Sequence, residues 1–281
     1  MKIQVLGTAA ATSMPLVFCN CDVCRQLRRL GGKNIRKRSS IVINDELLID
    51  LGPDVINACN MYGVDAGKIK YLLQTHSHSD HFDAGHFVTR WSDYATKDLS
   101  HLDIVCSHGT AQDMNHWINE NERIDLFDEK WQKDLNYGLH IVKHGDVIRL
   151  GDYEIVAIDS KHDSRVEALV FIISSKGKSI FYGTDMLEIS GEAWKILEKH
   201  RFDVVFLDQT YGKGFNAGGH PDAGMVSDYV KTMKSKGIID EKTVVYATHI
   251  SHEGNAAHEE MEKEAKANGY KIAYDGMKLT L

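Results

Sequence analysis

The segment His76-Ser77-His78-Ser79-Asp80-His81 places four metal-competent side chains within six residues, directly after the apolar run IKYLLQT. Packing alone does not call for this, because polar and charged groups are costly to bury unless they are paired or bound to an ion. On a turn leaving a strand, His76 and His78 can converge on one ion. Asp80 and His81, opening the next helix, can reach a second ion close by. Imidazole nitrogen and carboxylate oxygen suit zinc and its first-row neighbours.

The scaffold for such a turn is legible in the recurrence of apolar, β-rich runs: IQVLG, SSIVIN, ELLIDLG, LDIVCS, YEIVAID, ALVFIIS, SIFYGTD, FDVVFLD, TVVYATH and MKLTL. Several end in Asp or His, which puts polar groups at the carboxyl ends of otherwise buried strands, a common way to present a site on a rigid sheet. Helical patterns fall over residues 53–62, 84–96, 110–120, 187–200, 222–236 and 253–268, the first opened by Pro53 after Gly52. Asn44-Asp45 and Ser175-Lys176-Gly177 predict hairpin turns. Strand runs in both halves, each followed by helices, predict an α/β (α+β) chain with two sheets and helices packed outside. The whole of 1–281 then forms one domain. Periodicity by itself leaves a doubly wound sheet open.

Net charge is −7, which argues against a generally basic nucleic-acid surface. Residues 25–38 (RQLRRLGGKNIRKR) run the other way, with seven basic residues and no acid; they are expected to be a solvated helix and loop, with an anion-facing patch as the competing reading. No apolar run approaches the roughly 18 residues of a membrane span, and no signal-like segment opens the chain, so a cytoplasmic protein is expected. Five cysteines argue against a disulfide framework. Three of them, Cys19, Cys21 and Cys24, crowd into six residues, and in a reducing compartment such a cluster reads as a metal site. A closed structural zinc site needs a fourth ligand, for which His252 and His220 compete. Cys59 and Cys106 stand alone and read as small buried hydrophobes.

HSHSDH resembles the HxHxDH signature of the metallo-β-lactamase superfamily, and further stations of that family follow in order: His162 in IDSKHDS, Asp185 in FYGTDM and His249 in VVYATHIS. The resemblance covers nearly the whole chain and implies a four-layer αββα sandwich. It assigns His76, His78 and His162 to one metal ion and Asp80, His81 and His249 to a second, with Asp185 shared. Zinc, manganese or iron would fill the pair. Asp50, in LLIDLGPD, matches a family aspartate expected to orient a ligand histidine. The competing role for Asp50 is a helix cap.

The CxCxxC insertion and the THISH segment resemble the PhnP-type branch, named after a phosphodiesterase of cyclic ribose phosphates. That likeness implies a structural zinc knuckle near residues 19–24 and favours His252 as its fourth ligand. The first turn departs from the family's GTGxxxGxP, reading Gly7-Thr8-Ala9-Ala10-Ala11-Thr12-Ser13-Met14-Pro15. Two carboxylates against two divalent ions leave positive charge, which suits a metal-bridging hydroxide and a small anionic phosphodiester. His220, after the Gly-rich stretch GKGFNAGG, is the expected general acid or anion hydrogen-bonder, oriented by Asp222, with a helix-start histidine capped by Asp222 as the competing reading; Tyr211 and Lys213 are further candidates for substrate contact. The remaining histidines are expected to be structural or solvated. Alternatives are a tRNA 3′-processing nuclease, which fits the charge poorly, a glyoxalase II-like thioesterase or lactonase, and a non-catalytic binding module. Residues 86–140, rich in Trp and Tyr, are expected to wall the pocket or to join two copies as a homodimer.

Overall fold

In the computed structural model, which describes residues 1–281 apart from Ala95 and Asn216, the apolar runs pair into two seven-stranded sheets. In chain order the strands are β1 (Lys2–Gly7), β2 (Ser40–Ile43), β3 (Leu47–Ile49), β4 (Tyr71–Leu73), β5 (Leu102–Cys106), β6 (Tyr137–Ile141), β7 (Val147–Leu150), β8 (Tyr153–Asp159), β9 (Leu169–Ser175), β10 (Lys178–Gly183), β11 (Val204–Asp208), β12 (Val244–Thr248), β13 (Lys271–Ile272) and β14 (Lys278–Thr280). One sheet runs β14-β1-β2-β3-β4-β5-β6 and the other β13-β12-β11-β10-β9-β8-β7. Each is half antiparallel meander and half parallel. β3 to β6 are parallel in the first sheet, and β10 to β13 in the second.

The meanders turn where expected. Asn44 and Asp45 have φ of 51° and 60°, and Lys176 and Gly177 have 50° and 74°, the pair of positive φ values that a tight two-residue hairpin needs. Helices fill the crossovers: α1 (Asp22–Leu30) after β1, α2 (Val55–Tyr62) after β3, α3 (Ala84–Val88) after β4, α4 (His108–Glu122) and α5 (Glu129–Asp134) after β5. In the second half α6 (Gly191–Leu197), α7 (Ala223–Ser235) and α8 (His258–Ala267) follow β10, β11 and β12. Because strand side chains alternate between faces, each central strand feeds two cores. Ile41, Leu73 and Val105 meet Phe171, Ile173 and Phe206 between the sheets. Leu72 and Ile104 pack under Ala58, Ala111 and Met114 on the outer helices, and Val205 and Val245 under Val226, Met233 and Met261. The result is the four-layer αββα sandwich.

Several expectations are corrected. The helix expected over 84–96, which includes the undescribed Ala95, ends at Val88. The helix expected over 187–200 starts at Gly191, where the Ser190 side chain accepts from Ala193 N. β6, β7, β13 and α5 gave no sequence signal: β6 and β7 are edge strands that leave most of their side chains at least partly exposed, and β13 spans two residues. The basic stretch 25–38 is largely committed internally. Arg36 is buried, Arg28 donates to the carbonyls of Cys19 and Leu16, Arg38 pairs with Asp54 and Arg25 with Asp22. Among the described residues, no helix is long and apolar enough to cross a membrane.

Candidate metal centre

β1, β3, β4 and β5 share one direction within their sheet, as do β8, β10, β11 and β12 within theirs. Their carboxyl ends deliver Asp50, His76, His162, Asp185, Asp208 and His249 to one edge of the sandwich. Three of these residues leave their strands with a left-handed backbone: Asp50 at φ 63°, Asp185 at 54° and His249 at 59°. For non-glycine residues that conformation costs about 1–3 kcal/mol each and persists only where the surroundings impose it. Here it turns each side chain sharply into the edge.

The signature loop follows β4. His76 Nε2 stands 3.0 Å from His78 Nδ1, and His162 Nε2 is 3.3 Å from the same atom. A tetrahedral ion with bonds of about 2.0–2.1 Å to nitrogen would hold its donors about 3.3 Å apart. Beside this trio lies a second group. His81 Nε2 is 3.0 Å from both Asp80 Oδ2 and Asp185 Oδ2, and His249 Nε2 is 3.2 Å from Asp185 Oδ2 and 3.7 Å from Asp80 Oδ2. Asp185 Oδ1 faces His162 Nε2 at 3.5 Å, so its carboxylate touches both groups.

Three of the converging atoms, His81 Nε2, Asp185 Oδ2 and His249 Nε2, are buried and make no hydrogen bond among the described residues. Buried polar atoms are rarely left so, and three that aim at one point fit a cation rather than a proton. Electrostatics agree. Burial would lift the Asp80 and Asp185 carboxyls, yet adjacent imidazoles, His81 first for Asp80 and His249 first for Asp185, hold both well below the usual carboxylate range. Burial would lower His81, but Asp80, Asp185 and Asp50 hold it well above an ordinary imidazole. The residues brought together therefore fit divalent metal ions.

Two carboxylates set the imidazoles. Asp50, fully buried, accepts from His81 Nδ1 at 2.7 Å and from Thr75 N and Thr75 Oγ1, both at 2.8 Å. Thr75 Oγ1 in turn lies 3.0 Å from His76 Nδ1. Asp50 thus orients His81 directly and His76 through Thr75, and does not cap α2. Its counterpart on the other sheet, Asp208, was not anticipated. Asp208 Oδ1 accepts from Thr210 N and Oγ1 at 2.7 Å, and Thr210 Oγ1 lies 2.8 Å from His249 Nδ1. In both relays the hydroxyl donates to the carboxylate and accepts from Nδ1–H, which leaves Nε2 of His76 and His249 as a lone pair. The one signal for Asp208 was its place at the end of the run FDVVFLD.

His220 lies against the centre, with its ring 4.9 Å from His162 and 5.2 Å from His249. Its partner is Asp208 Oδ2 at 3.0 Å, not Asp222. Asp222 caps α7 by accepting from Met225 N at 2.8 Å and ties the loop by accepting from Gly214 N at 2.7 Å, so both its oxygens are occupied elsewhere. Burial disfavours a charged His220, but Asp208, with Asp185 and Asp80 behind it, pushes its pKa up to about 9 in the metal-free chain. A cleft of about 500 Å³ opens over the centre between Ala10–Thr12, Ser164–Arg165 and Gly218–His220. Tyr211 lines it, while Lys213 faces a separate small cavity near Tyr270. Of the loop GKGFNAGG, Asn216 is outside the described residues. His86 donates to Pro53 O at 3.1 Å and is structural. Among the described residues of the 86–140 segment, none lines this cleft; Gly109, Gln112 and Asp113 line an adjoining one.

A second cluster sits beside α1. Sγ of Cys19, Cys21 and Cys24 lie 3.9, 3.6 and 3.4 Å from His252 Nδ1. A tetrahedral zinc with three thiolates and one imidazole has sulfur–nitrogen edges of about 3.5 Å. His220 is not part of this cluster. The Cys24 N–H and His252 draw the Cys21 thiol down to about 6, while burial pushes Cys24 up to about 11. Cys59 and Cys106 are buried and free.

The family described as the Beta-lactamase superfamily domain matches residues 45–250. Curated relatives match in part. An octanoyltransferase of Porphyromonas gingivalis is 34% identical over 84 residues, 29% of this chain and 16% of that protein. A ribonuclease Z of Mycolicibacterium gilvum is 42% identical over 67 residues, 23% of each protein. The chain thus spans less than a quarter of either relative. The crystal structure of a diphosphatase from the PhnP family superposes with a TM-score of 0.74 at 22% identity, covering 99% of this chain and 97% of that one. With signature residues, sandwich and family match in agreement, the chain belongs to the metallo-β-lactamase superfamily of metal-dependent hydrolases.

Proposed function

We propose that the chain is a binuclear metal-dependent phosphodiesterase acting on a small cyclic or nucleotide-like phosphodiester in the cytoplasm, with residues 1–281 forming one catalytic domain. In this reading His76, His78 and His162 hold one ion, Asp80, His81 and His249 hold the other, and Asp185 serves both. Cys19, Cys21, Cys24 and His252 hold a structural zinc. The observation that carries the reading is the seven-donor cluster, five imidazoles and two carboxylates, with the Asp208–His220 pair on its open side. When bound, a pair of divalent ions brings Lewis acidity and lowers the pKa of a shared water towards neutrality.

The chain's own residues supply the rest. Two carboxylates are too few to neutralise two divalent ions, so the cleft favours an anion. Asp50 and Asp208 fix the ligand imidazoles before substrate arrives. His220 commits Nδ1 to Asp208, which leaves Nε2 to carry a proton to the departing alkoxide. The PhnP-family diphosphatase that shares the fold supports phosphate-ester chemistry. The ribonuclease Z match favours a second reading, RNA 3′-end cleavage.

A metal-reconstituted screen over cyclic phosphates, nucleotide diesters, precursor tRNA, thioesters and lactones separates these. Turnover of a cyclic phosphate or nucleotide diester, lost in Asp185→Ala together with one equivalent of metal, is the expected result. Turnover confined to thioesters or lactones would overturn it.

A further inference from the structure

Behind the signature loop, on the outer face of the first sheet, lies a second cavity that shares no described residue with the metal cleft. Its volume is about 440 Å³, and Leu48, Val55, Cys59, Leu72, Phe87 and Leu102 supply its apolar walls. That size and lining fall in the range of pockets that enclose small organic ligands, which combine apolar walls with a few polar groups.

One wall residue does not fit an apolar void. Arg90 lines the cavity, and among the described residues no carboxylate pairs with it. Its Nε donates to Leu135 O at 3.0 Å, and its Nη2 donates to Ser100 O at 2.7 Å and Asn136 O at 2.9 Å. Those carbonyls satisfy hydrogens without neutralising charge, and Nη1 makes no hydrogen bond among the described residues. Burial draws the Arg90 pKa down to about 10, with no acid holding it up. Arg90 is half-buried, and a guanidinium set in an apolar wall with no acidic partner is open to an anion that enters the cavity.

We propose that this cavity binds a small amphipathic monocarboxylate, its apolar body against Leu72 and Phe87 and its head group on Arg90 Nη1. A single carboxylate matches the single uncompensated charge and gains a charge-assisted hydrogen bond. A neutral apolar molecule would fill the walls and leave the charge as it is. The cavity is distinct from the cleft, so the assignment stands apart from the hydrolytic reading.

Calorimetric titration of the metal-loaded full chain with nonanoate and with nonanol tests it. Nonanoate is expected to bind at least ten-fold tighter than nonanol, and Arg90→Gln to abolish the difference. Thr89→Trp, on the exposed rim, is expected to weaken nonanoate by ten-fold or more while leaving phosphodiester turnover unchanged. Equal affinity for the acid and the alcohol, no saturable binding, or full nonanoate affinity in Thr89→Trp would each overturn the assignment. The last result would place the ligand outside this cavity. If Arg90→Gln does not fold, the acid–alcohol comparison and Thr89→Trp decide the matter.

Discussion

Replacing Asp208 with Asn changes one atom and tests whether the outer carboxylates set the metal site. Asp208 is 2% exposed and accepts four hydrogen bonds: from Asp185 N, His220 Nδ1, Thr210 N and Thr210 Oγ1. A carboxylate accepts at both oxygens, whereas an amide offers one acceptor and one donor. If the amide nitrogen takes the Oδ2 place, it opposes Asp185 N and frees His220. In the Oδ1 place it opposes Thr210 N and turns the Thr210 hydroxyl around, and a reversed hydroxyl donates to His249 Nδ1. That moves the His249 proton to Nε2, the atom aimed at the centre. Each orphaned buried donor costs about 1–3 kcal/mol. A lost outer-sphere partner typically lowers metal affinity or activity about 10–100-fold. We therefore expect Asp208→Asn to bind its weaker catalytic ion at least ten-fold less tightly by calorimetric titration, with phosphodiester turnover reduced in parallel. Zinc in the cysteine cluster should be unaffected. Unchanged affinity for both catalytic ions would refute the relay.

Three further outcomes are expected. His220→Ala should keep its metal content by elemental analysis and slow diesters with poor leaving groups more than bis(p-nitrophenyl) phosphate; equal slowing would remove its role as proton donor. Cys21→Ser should lose one zinc per chain and unfold at lower temperature, and undiminished zinc would reject the structural site. His258 is buried beside Arg36 and Lys33, and its pKa falls from the ordinary 6.5 to about 4, with burial the main cause. The folded chain resists protonation there. The associated stability is therefore full above about pH 6.5 and is lost as pH falls towards 4, at most about 3 kcal/mol at about 1.4 kcal/mol per unit. Denaturant titrations at several pH values should show His258→Gln with a shallower acid decline than the parent.

The sequence made the site legible where chemistry crowds a short segment. His76–His81 needed no structure, because four ligand-type side chains in six residues have no packing purpose. Asp185 and His249 each close an apolar run, but it was their order among the stations of the metallo-β-lactamase resemblance that placed them. Asp208 closes one too, yet it carries no neighbouring ligand to mark it. Its partner Thr210 reads as an ordinary loop residue, and the link to His249 spans 39 positions. Asp222 was misread for the converse reason: its nearness to His220 in sequence suggested a pair, while its position before α7 makes it a cap. In the fold, central strands showed themselves through long apolar runs. β6 and β7, at sheet edges, had no such pattern to show.

The arrangement of Asp50 and Asp208 explains why the centre sits between the sheets rather than on either one. Each sheet supplies a carboxylate at the end of a parallel strand, and a threonine that carries its charge to the Nδ1 of one histidine. Each carboxylate also takes a second imidazole directly, His81 for Asp50 and His220 for Asp208. The two halves differ in what that second ring can do. His81 is buried among carboxylates and has only the centre to face, whereas His220 lines the open cleft. The same device therefore fixes a buried imidazole on one sheet and, in the proposed mechanism, holds the proton donor on the other, at the edge where the two sheets meet.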